Sequence, residues 1–416
     1  MIDAAQKLYL KDLAKRVKEL SKTQHNQNLI RKYKDINSLK KVDSPAIFVA
    51  LPGQAVSEYM SDEKPRIEDG LFAAIEYQFL WSLCRAKKLG DDMPVTAVYH
   101  TGWHYYVTPW MDGYKPVHID SNLKMTDFKP CIAEYADIKK MRKPKLTVDH
   151  RKTDEVYEQI RDAIGDVLTV VKGHPYHASC GWGDSMFDQF YEMRGPEQVL
   201  YDLVDAPEFI HEAMSFMTEA KIELMEQFKK EGILCLNNGA NLLGSSSLGF
   251  CDELPGDDYQ PDRVIEKNLW GFAHTQEFAD VSPEMWEEFV LPYQAQLINR
   301  FGLSLYGCCE PVEYVIPSLE KYIKNLRMMS ISPSTSHEIA APLCEGKYVY
   351  AWKPPPTPVV FFDEQSIKKE AERVFSLTRN CCVAVTLRDV MSYEGNAGRF
   401  NRWLKIMREA AAEKYL

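Results

Sequence analysis

The feature that most constrains the fold is an alternation of short strand-like runs with longer helical patterns. The runs are rich in β-branched, aromatic and other apolar residues, and they lie at 46–51, 94–100, 166–172, 233–236, 269–273, 303–308, 328–332, 348–352 and 383–388. Apolar residues recur at the spacing of a helix face at 207–230, 365–378 and 396–413. This alternation is typical of α/β proteins in which helices cover a mostly parallel sheet.

Nine strand-like runs exceed the eight strands that an α/β barrel uses, so at least one run lies outside such a barrel. We expect the outlier to be 233–236, because a loop rich in Gly and Ser follows it at 239–249. A rigid loop is predicted at 354–358, where prolines surround Thr357 and favour an extended polyproline segment.

The composition excludes several classes of protein. With 416 residues, of which 45% are hydrophobic and 26% charged, the chain resembles folded globular proteins. No apolar run approaches the ~20 residues of a membrane span. The N-terminus shows no basic region followed by an apolar one, so we expect a cytoplasmic protein without a membrane partner. Ten cysteines without an export signal favour reduced thiols.

The charge pattern argues against nucleic-acid binding. A net charge of −10 opposes association with phosphates, which proteins neutralise with Lys and Arg. Basic residues outnumber acidic ones in the first forty residues. That segment either docks an acidic partner or forms a solvated amphipathic helix, and we favour the helix.

The end of the run at 303–308 carries the densest chemistry. Residues 306–311 read Tyr-Gly-Cys-Cys-Glu-Pro, so two thiols and a carboxylate follow a strand at the end where α/β barrels hold their active sites. If extended geometry continues into the turn, Cys308 and Glu310 point the same way and Cys309 the opposite way. The alternative is that both cysteines are buried as small apolar side chains.

A concentration of rings lies at and after the end of the run at 94–100. These residues are His100, Trp103, His104, Tyr105, Tyr106 and Trp110. Rings in such number suit the binding of a flat substrate, and we take Trp103 and His104 as candidate substrate-binding residues. A packed aromatic lid over the barrel is the open alternative.

Polar residues also follow other strand-like runs. Asn237 and Asn238 are candidates to orient a substrate, although Asn before Gly also serves turn geometry. His274 ends the fifth run and is either a substrate-binding residue or a satisfied core histidine. Asp389 ends the last run, where a catalytic carboxylate is expected. Pairing with Arg388 or capping of a helix are its alternatives.

Four stretches carry a family resemblance. The first, 195–209, begins Gly-Pro-Glu and ends Asp-Ala-Pro-Glu-Phe, and the second, 281–293, begins Val-Ser-Pro and ends Leu-Pro-Tyr. The third, 301–311, contains the two thiols, and the fourth, 396–413, has the pattern of a closing helix. In these stretches the chain resembles the uroporphyrinogen decarboxylase superfamily, roughly from Ala46 to the C-terminus.

The resemblance implies an α/β fold, a (β/α)₈ TIM barrel with insertions at 46–416, preceded by an N-terminal helical extension at 1–45. The superfamily includes porphyrin decarboxylases and zinc-dependent methyltransferases that exchange methyl groups with corrinoid proteins. The decarboxylases carry an arginine-rich loop after the first strand, whereas the equivalent loop at 51–59 has no arginine. A substrate with many carboxylates needs such cations, so this loop argues against a tetrapyrrole.

The methyltransferase branch implies a zinc site, which this chain would have to build differently. That branch places His-x-Cys at the end of the strand aligned with 303–308, and a second Cys at the end of the last strand. Here Tyr306 replaces the His, and no thiol ends the last strand. The resemblance therefore leaves Cys308, Glu310 and His337 as candidate zinc ligands. His337 as an ordinary loop residue is the alternative.

Two more substrate contacts follow from the resemblance. The loop at 173–184 lines the substrate pocket in the superfamily, which makes His177 and Trp182 candidates for binding the substrate. Tyr306, in the place of the ligand histidine, is a further candidate.

The leading hypothesis is a methyltransferase that moves a methyl group from a small, aromatic methyl ether to a corrinoid protein. Cobalamin or a related corrinoid would reside on that partner, and zinc or an acid, Glu310 or Asp389, would activate the leaving oxygen. A decarboxylase of the uroporphyrinogen type and a non-catalytic ligand-binding barrel are the alternatives. The resemblance is also compatible with a homodimer.

Overall fold

The computed structural model describes residues 2–114, 116–120, 125–173 and 185–415. The strands are β1 Ala46–Val49, β2 Val98–His100, β3 Tyr105–Val107, β4 Pro116–Asp120, β5 Met125–Phe128, β6 Leu146–Val148, β7 Thr169–Val171, β8 Leu242–Leu243, β9 Ser247–Leu248, β10 Trp270–Ala273, β11 Leu303–Tyr306, β12 Leu326–Ile331, β13 Val349–Trp352 and β14 Cys382–Leu387. Each predicted run except 233–236 overlaps one of these strands.

Helices connect and cover the strands. The α-helices are Ala4–Lys22, Gln24–Asn37, Gly53–Tyr59, Gly70–Cys84, His150–Ile164, Ser185–Arg194, Pro196–Asp205, Pro207–Lys230, Pro283–Phe289, Leu291–Ile298, Ile316–Tyr322, His337–Cys344, Thr357–Val360, Glu364–Leu377 and Gly398–Lys414. Shorter 3₁₀ or π turns are Arg85–Leu89, Tyr135–Lys140, Glu266–Asn268 and Gln276–Phe278. The three helices that we predicted from apolar spacing, at 207–230, 365–378 and 396–413, are confirmed, with ends that differ by at most two residues.

A six-stranded parallel sheet forms the centre of the molecule, in the order β1-β14-β13-β12-β11-β10. Every residue of β1, β10, β11, β13 and β14 is buried, as expected of a parallel sheet covered on both faces. One face packs against helix Gln24–Asn37 and the β8–β9 hairpin. The chain is therefore an α/β protein, as the alternation predicted.

The hydrogen-bonded sheet does not close into the barrel that we expected. Among the described residues, β2 and β7 form a separate parallel pair, and they share no ladder with β1 or β10. Side chains satisfy the free edge of β1 instead: Asp92 accepts from Ile47 N at 3.1 Å and Asp91 from Val49 N at 3.0 Å. The ladder stops because carboxylates occupy amides that a neighbouring strand would use.

The segment 233–236, which we expected outside the barrel, forms no strand, but it is not peripheral. Cys235 is buried and packs against Gly173, where an added Cβ would lie 2.9 Å from Cys235 Cβ. Asn237, just after the segment, bonds through its side-chain amide to both backbone groups of Trp270 at 2.9 Å. The segment therefore lies between β7 and β10. The side chain of Asn237 makes the hydrogen bonds to β10 that the backbone of a neighbouring strand would otherwise make.

The two N-terminal helices belong to the packed body of the molecule. Leu10, Leu13 and Val17 of helix Ala4–Lys22 are buried in the main core, and the helix packs against Gly70–Cys84. The amphipathic helix that we favoured for the basic segment is present. The boundary at residue 45 stays a prediction.

The proline-rich loop differs from its prediction. A short helix begins at Thr357, directly after Pro356, so the segment 354–358 is not extended throughout. Proline is tolerated in the first helical turn because the amides there lack intrahelical partners. Our prediction of an extended segment at 354–358 did not take this into account. Among the described residues, no helix combines the length and the apolar character that crossing a membrane would need.

Candidate functional site

The carboxyl edge of the six-stranded sheet gathers most of the chemically active side chains. Loops leave this edge after β10, β11, β13 and β14, and they carry His274, Cys308, Lys353 and Asp389. Parallel strands all end at the same edge, which is why these loops lie side by side. The turn of the β8–β9 hairpin reaches the same place, because Ser245 lies within 3.7 Å of Cys308 Sγ.

A sharp turn after β11 sets the positions of the two thiols. Gly307 has a φ of +101°, and an added Cβ would lie 3.1 Å from Ser330 O, so this position requires glycine. Extended geometry therefore ends before the thiols, and the condition for their alternation is not met. Instead the Sγ atoms of Cys308 and Cys309 lie 3.8 Å apart.

Glu310 is buried and ties two loops together. Its carboxylate accepts hydrogen bonds from Thr275 N at 2.9 Å and from Cys308 N at 2.8 Å. One side chain thus joins the loop after β10 to the loop after β11. This arrangement gives Glu310 a positioning role, since both oxygens already have backbone partners.

The thiol pair is electrostatically asymmetric. The hydrogen bond to Cys308 lowers the pKa of Cys309 to about 6, assisted by the nearby Lys353 ammonium and opposed by burial. The same thiol–thiol bond, with burial, raises the pKa of Cys308 well above its usual range. These opposite shifts favour the thiolate form at the exposed Cys309 over that at Cys308.

Lys353 is a functional candidate that the sequence analysis missed. Its ammonium is buried and donates to Ser245 Oγ at 2.9 Å and to the carbonyl of Cys308. Burial lowers the pKa of Lys353, while the thiols Cys308 and Cys309 oppose that shift. In the sequence, Lys353 comes directly after the strand-like run at 348–352. A position at the end of a strand-like run is the criterion by which Asp389 was selected.

A second group of polar side chains lies at the turn after β10. Among the described residues, Asp188, His274 and Glu277 form one group of potential metal ligands, with the ligand atoms all within 4.8 Å of one another. His274 is buried and follows β10, and Glu277 lies in the short turn after it. The pattern His-x-x-Glu was visible in the sequence, but Asp188 comes from a distant helix that carried no such signal.

Two predicted substrate contacts are buried in the framework. The hydroxyl of Tyr306 donates to Gln294 Oε1 at 2.9 Å, and burial raises its pKa well above the usual range. The Asn237 amide is occupied by the backbone of Trp270. The structure thus places both side chains in contacts that hold strands together.

The candidate zinc ligands Cys308, Glu310 and His337 are not brought together. His337 is buried, with Nδ1 2.6 Å from the Tyr350 hydroxyl and Nε2 3.5 Å from Glu370 Oε1. In the part of the chain that the structure describes, the three residues do not form a group with metal-ligand spacing. The ligand set drawn from the family resemblance therefore does not fit this chain.

Asp389 is exposed at the carboxyl edge. Its backbone has a φ of +61°, in the left-handed region, and its carboxylate accepts from Arg388 Nε at 3.0 Å. The ion pair that we considered as the alternative is thus present. An exposed ion pair of this kind contributes little to the free energy of unfolding. It therefore does not offset the strain of the left-handed backbone conformation at Asp389.

A large cavity of about 940 Å³ lies beside β2 and β7. Trp103, His100 and Asn238 line it, together with Tyr259 and the buried Cys235. The Trp103 Nε1 atom is buried and has no partner among the described residues, and a donor of this kind suits a polar ligand atom.

The other candidate substrate-binding residues are His104, His177 and Trp182. His104 is exposed and does not line the cavity, although its backbone amide donates to Thr153 Oγ1 at 3.0 Å. His177 and Trp182 lie outside the described residues.

Among known proteins, similarity to the chain is found in solved structures. No protein-family model matches the chain. No curated protein matches it either. A solved structure with a similar arrangement is a methyltransferase from Methanosarcina mazei, at 13% sequence identity and a TM-score of 0.44, covering 93% of this chain and 99% of that chain. At this identity and TM-score, the activity must be argued from the residues of the chain itself.

Proposed function

We propose that the protein is a methyltransferase that moves a methyl group from a small aromatic methyl ether to the cobalt of a corrinoid carried by a separate protein. The single observation that carries the proposal is the buried Lys353 ammonium beside the Cys308–Cys309 pair at the carboxyl edge. The superfamily motifs and the arginine-free loop at 51–59 support the same choice over a porphyrin decarboxylase.

Ether cleavage needs a proton for the leaving oxygen. The C–O bond breaks as the methyl group passes to cobalt, and the electron pair for the new bond comes from the low-valent metal. The oxygen keeps the C–O electrons, so it leaves as an alcohol only if an acid protonates it. The chain itself therefore has to supply a positioned acid, not a nucleophile.

Lys353 is the acid that we assign to this step. An ammonium has three N–H donors, and two of them bond to Ser245 and to the Cys308 carbonyl, which leaves one for the ether oxygen. A pKa lowered by burial makes this proton easier to transfer at neutral pH. Asp389 stays a candidate catalytic group beside it, and Trp103 and Asn238 are proposed to contact the substrate ring.

The test is a methyl-transfer assay with the purified chain. Methoxylated benzoates and phenols are mixed with chemically reduced cobalamin, and methylcobalamin absorbance and the demethylated product are followed. We expect turnover with at least one aryl methyl ether. Lys353→Met should lower it by about 10²–10⁴-fold, the usual contribution of a positioned acid.

Lys347→Met is the matched control. Lys347 is exposed and pairs with Glu320 at 2.9 Å on the surface, so its loss should leave the rate unchanged. No methyl transfer from any aryl ether, or equal rates for Lys353→Met and the native chain, would overturn the proposal.

The cavity favours a second candidate, a protein that binds an aromatic ligand without converting it. Its volume of about 940 Å³ exceeds the needs of a single ring. Saturable quenching of tryptophan fluorescence by a methoxylated benzoate, with no product after prolonged incubation, would support this alternative over methyl transfer.

A further inference from the structure

The group formed by Asp188, His274 and Glu277 has the spacing of a metal centre. The Nε2 atom of His274 lies 3.7 Å from Asp188 Oδ2. That distance is too long for a hydrogen bond but close to the roughly 3.3 Å that separates two ligands bound at about 2.0–2.1 Å to one tetrahedral ion. All three ligand atoms lie within 4.8 Å of one another, so a small movement of side chains brings them to one ion.

Buried polar atoms at the group lack partners. His274 is 6% exposed, and its Nδ1 atom has no hydrogen-bond partner among the described residues. Within the described part of the chain, the Oε2 atom of Glu277 is also buried without a partner. Burying the carboxylate oxygen of Glu277 in this state costs free energy, which coordination to a cation would offset.

The local charge favours a cation. No Lys or Arg among the described residues forms an ion pair with Glu277 or with the nearby Glu192. Burial raises the pKa of Glu192, the Tyr114 hydroxyl opposes this shift, and the negative charge of Glu277 adds to it. A divalent ion would add positive charge beside these carboxylates.

The framework around the group is firm. Asp188 lies in the first turn of helix Ser185–Arg194, and Glu277 lies in the turn Gln276–Phe278. The rings of Phe187 and Phe278, which are the sequence neighbours of these two acids, pack edge to face with centroids 5.3 Å apart. This contact holds the helix against the turn and so brings the two carboxylates close to His274.

We propose that Asp188, His274 and Glu277 bind one divalent transition-metal ion such as Zn²⁺. One imidazole and two carboxylates suit a borderline or hard cation, and three protein ligands leave a coordination position open. The site contains no thiol, so it differs from the ligand set Cys308, Glu310 and His337 of the sequence analysis.

This inference deepens the proposed methyl transfer and rests on it for its role. An ion with an open position polarises an ether oxygen, and Glu310 links the loop that carries His274 to the loop that carries the thiol pair. The substrate class is then an ether or alcohol with an oxygen able to bind the open position.

The test measures metal binding without substrate or corrinoid, so its failure and the failure of methyl transfer are distinguishable. The full chain is stripped with a chelator and titrated with Zn²⁺ by calorimetry, and with Co²⁺ by visible absorption. We expect one equivalent to bind, and the Co²⁺ complex to show no thiolate charge-transfer band. His274→Ala should weaken binding by roughly 100-fold or more, since loss of even an outer ligand contact costs 10–100-fold.

Matched variants separate the alternatives. His104→Ala, an exposed histidine, and Cys308→Ala should bind Zn²⁺ as the native chain does. If His274→Ala fails to fold, Glu277→Gln at a half-buried turn replaces it, with at least tenfold weaker binding expected. Absence of saturable binding, or binding that survives His274→Ala and Glu277→Gln but is lost in Cys308→Ala, would overturn the proposal.

Discussion

Adjacent cysteines at the end of β11 show how one side chain sets the chemistry of the next. The thiols of Cys308 and Cys309 are in contact, and this contact lowers the pKa of Cys309 while it raises the pKa of Cys308. The sequence predicted that two thiols would lie at a strand end, but it predicted opposite directions for them. Their pairing depends on the φ of Gly307, which composition and periodicity do not encode.

The first prediction concerns the reactivity of Cys309. Its lowered pKa makes the thiolate dominant above about pH 6, so alkylation by iodoacetamide should rise through that pH and level off near neutrality. Cys131, whose pKa is raised by burial, serves as the internal control and should react only in alkaline solution. Peptide mass spectrometry after short exposures at several pH values measures both. Equal pH dependence of the two cysteines would contradict the assignment.

The second prediction concerns the role of Lys353 in that pKa. The ammonium lowers the pKa of Cys309 less than the thiol hydrogen bond does. In Lys353→Met the midpoint of Cys309 alkylation should therefore move upward but stay below the ordinary value for Cys. An unchanged midpoint would show that Lys353 is too distant to act on the pair.

At the scale of elements, the turns decide where functional groups lie. The strands and the long helices follow from apolar spacing, which each segment carries in its own residues. The turn after β11 and the link from Asn237 to Trp270 depend on partners far along the chain. This is why Asn237 and Tyr306 looked like substrate contacts in the sequence and lie in the framework in the structure.

The third prediction concerns the turn after β11. Gly307→Ala introduces a Cβ that would lie 2.9 Å from Val312 Cγ1, at a backbone angle that already disfavours side chains. We expect a loss of roughly 2–4 kcal/mol in unfolding free energy, because a steric clash adds to backbone strain of about 1–2 kcal/mol. Urea denaturation measures the change.

Gly346→Ala is the control for Gly307→Ala. Gly346 also has a positive φ, of 68°, but an added Cβ there meets nothing within 4 Å. The loss of unfolding free energy in Gly346→Ala should be limited to backbone strain of about 1–2 kcal/mol. Equal costs for the two variants would show that the contacts of Gly307 do not matter.

At the scale of the whole molecule, the N-terminal helices and the sheet share their cores. Helix Gln24–Asn37 covers one face of the sheet, and helix Ala4–Lys22 packs against Gly70–Cys84 and His150–Ile164. The packing joins the N-terminal helical extension at 1–45 to the remainder of the chain. One cooperative unit is the consequence.

The fourth prediction tests that cooperativity. Leu13 is fully buried in helix Ala4–Lys22, so Leu13→Ala should cost about 2–5 kcal/mol in the main unfolding transition. Leu8 of the same helix is 70% exposed, and Leu8→Ala should change the unfolding free energy by less than about 0.5 kcal/mol. If Leu13→Ala instead produced a separate early transition, the helix would be an independent extension.

The sequence by itself determined the α/β class, the strands of the central sheet, the long amphipathic helices and the strand end that carries Cys308, Cys309 and Glu310. These features follow from local spacing, because each segment needs one buried face. Only the tertiary structure decided that the sheet stays open, that Lys353 lies against Cys308, and that Asp188 meets His274. The two side-chain contacts join residues tens of positions apart, and their geometry depends on how the whole chain packs.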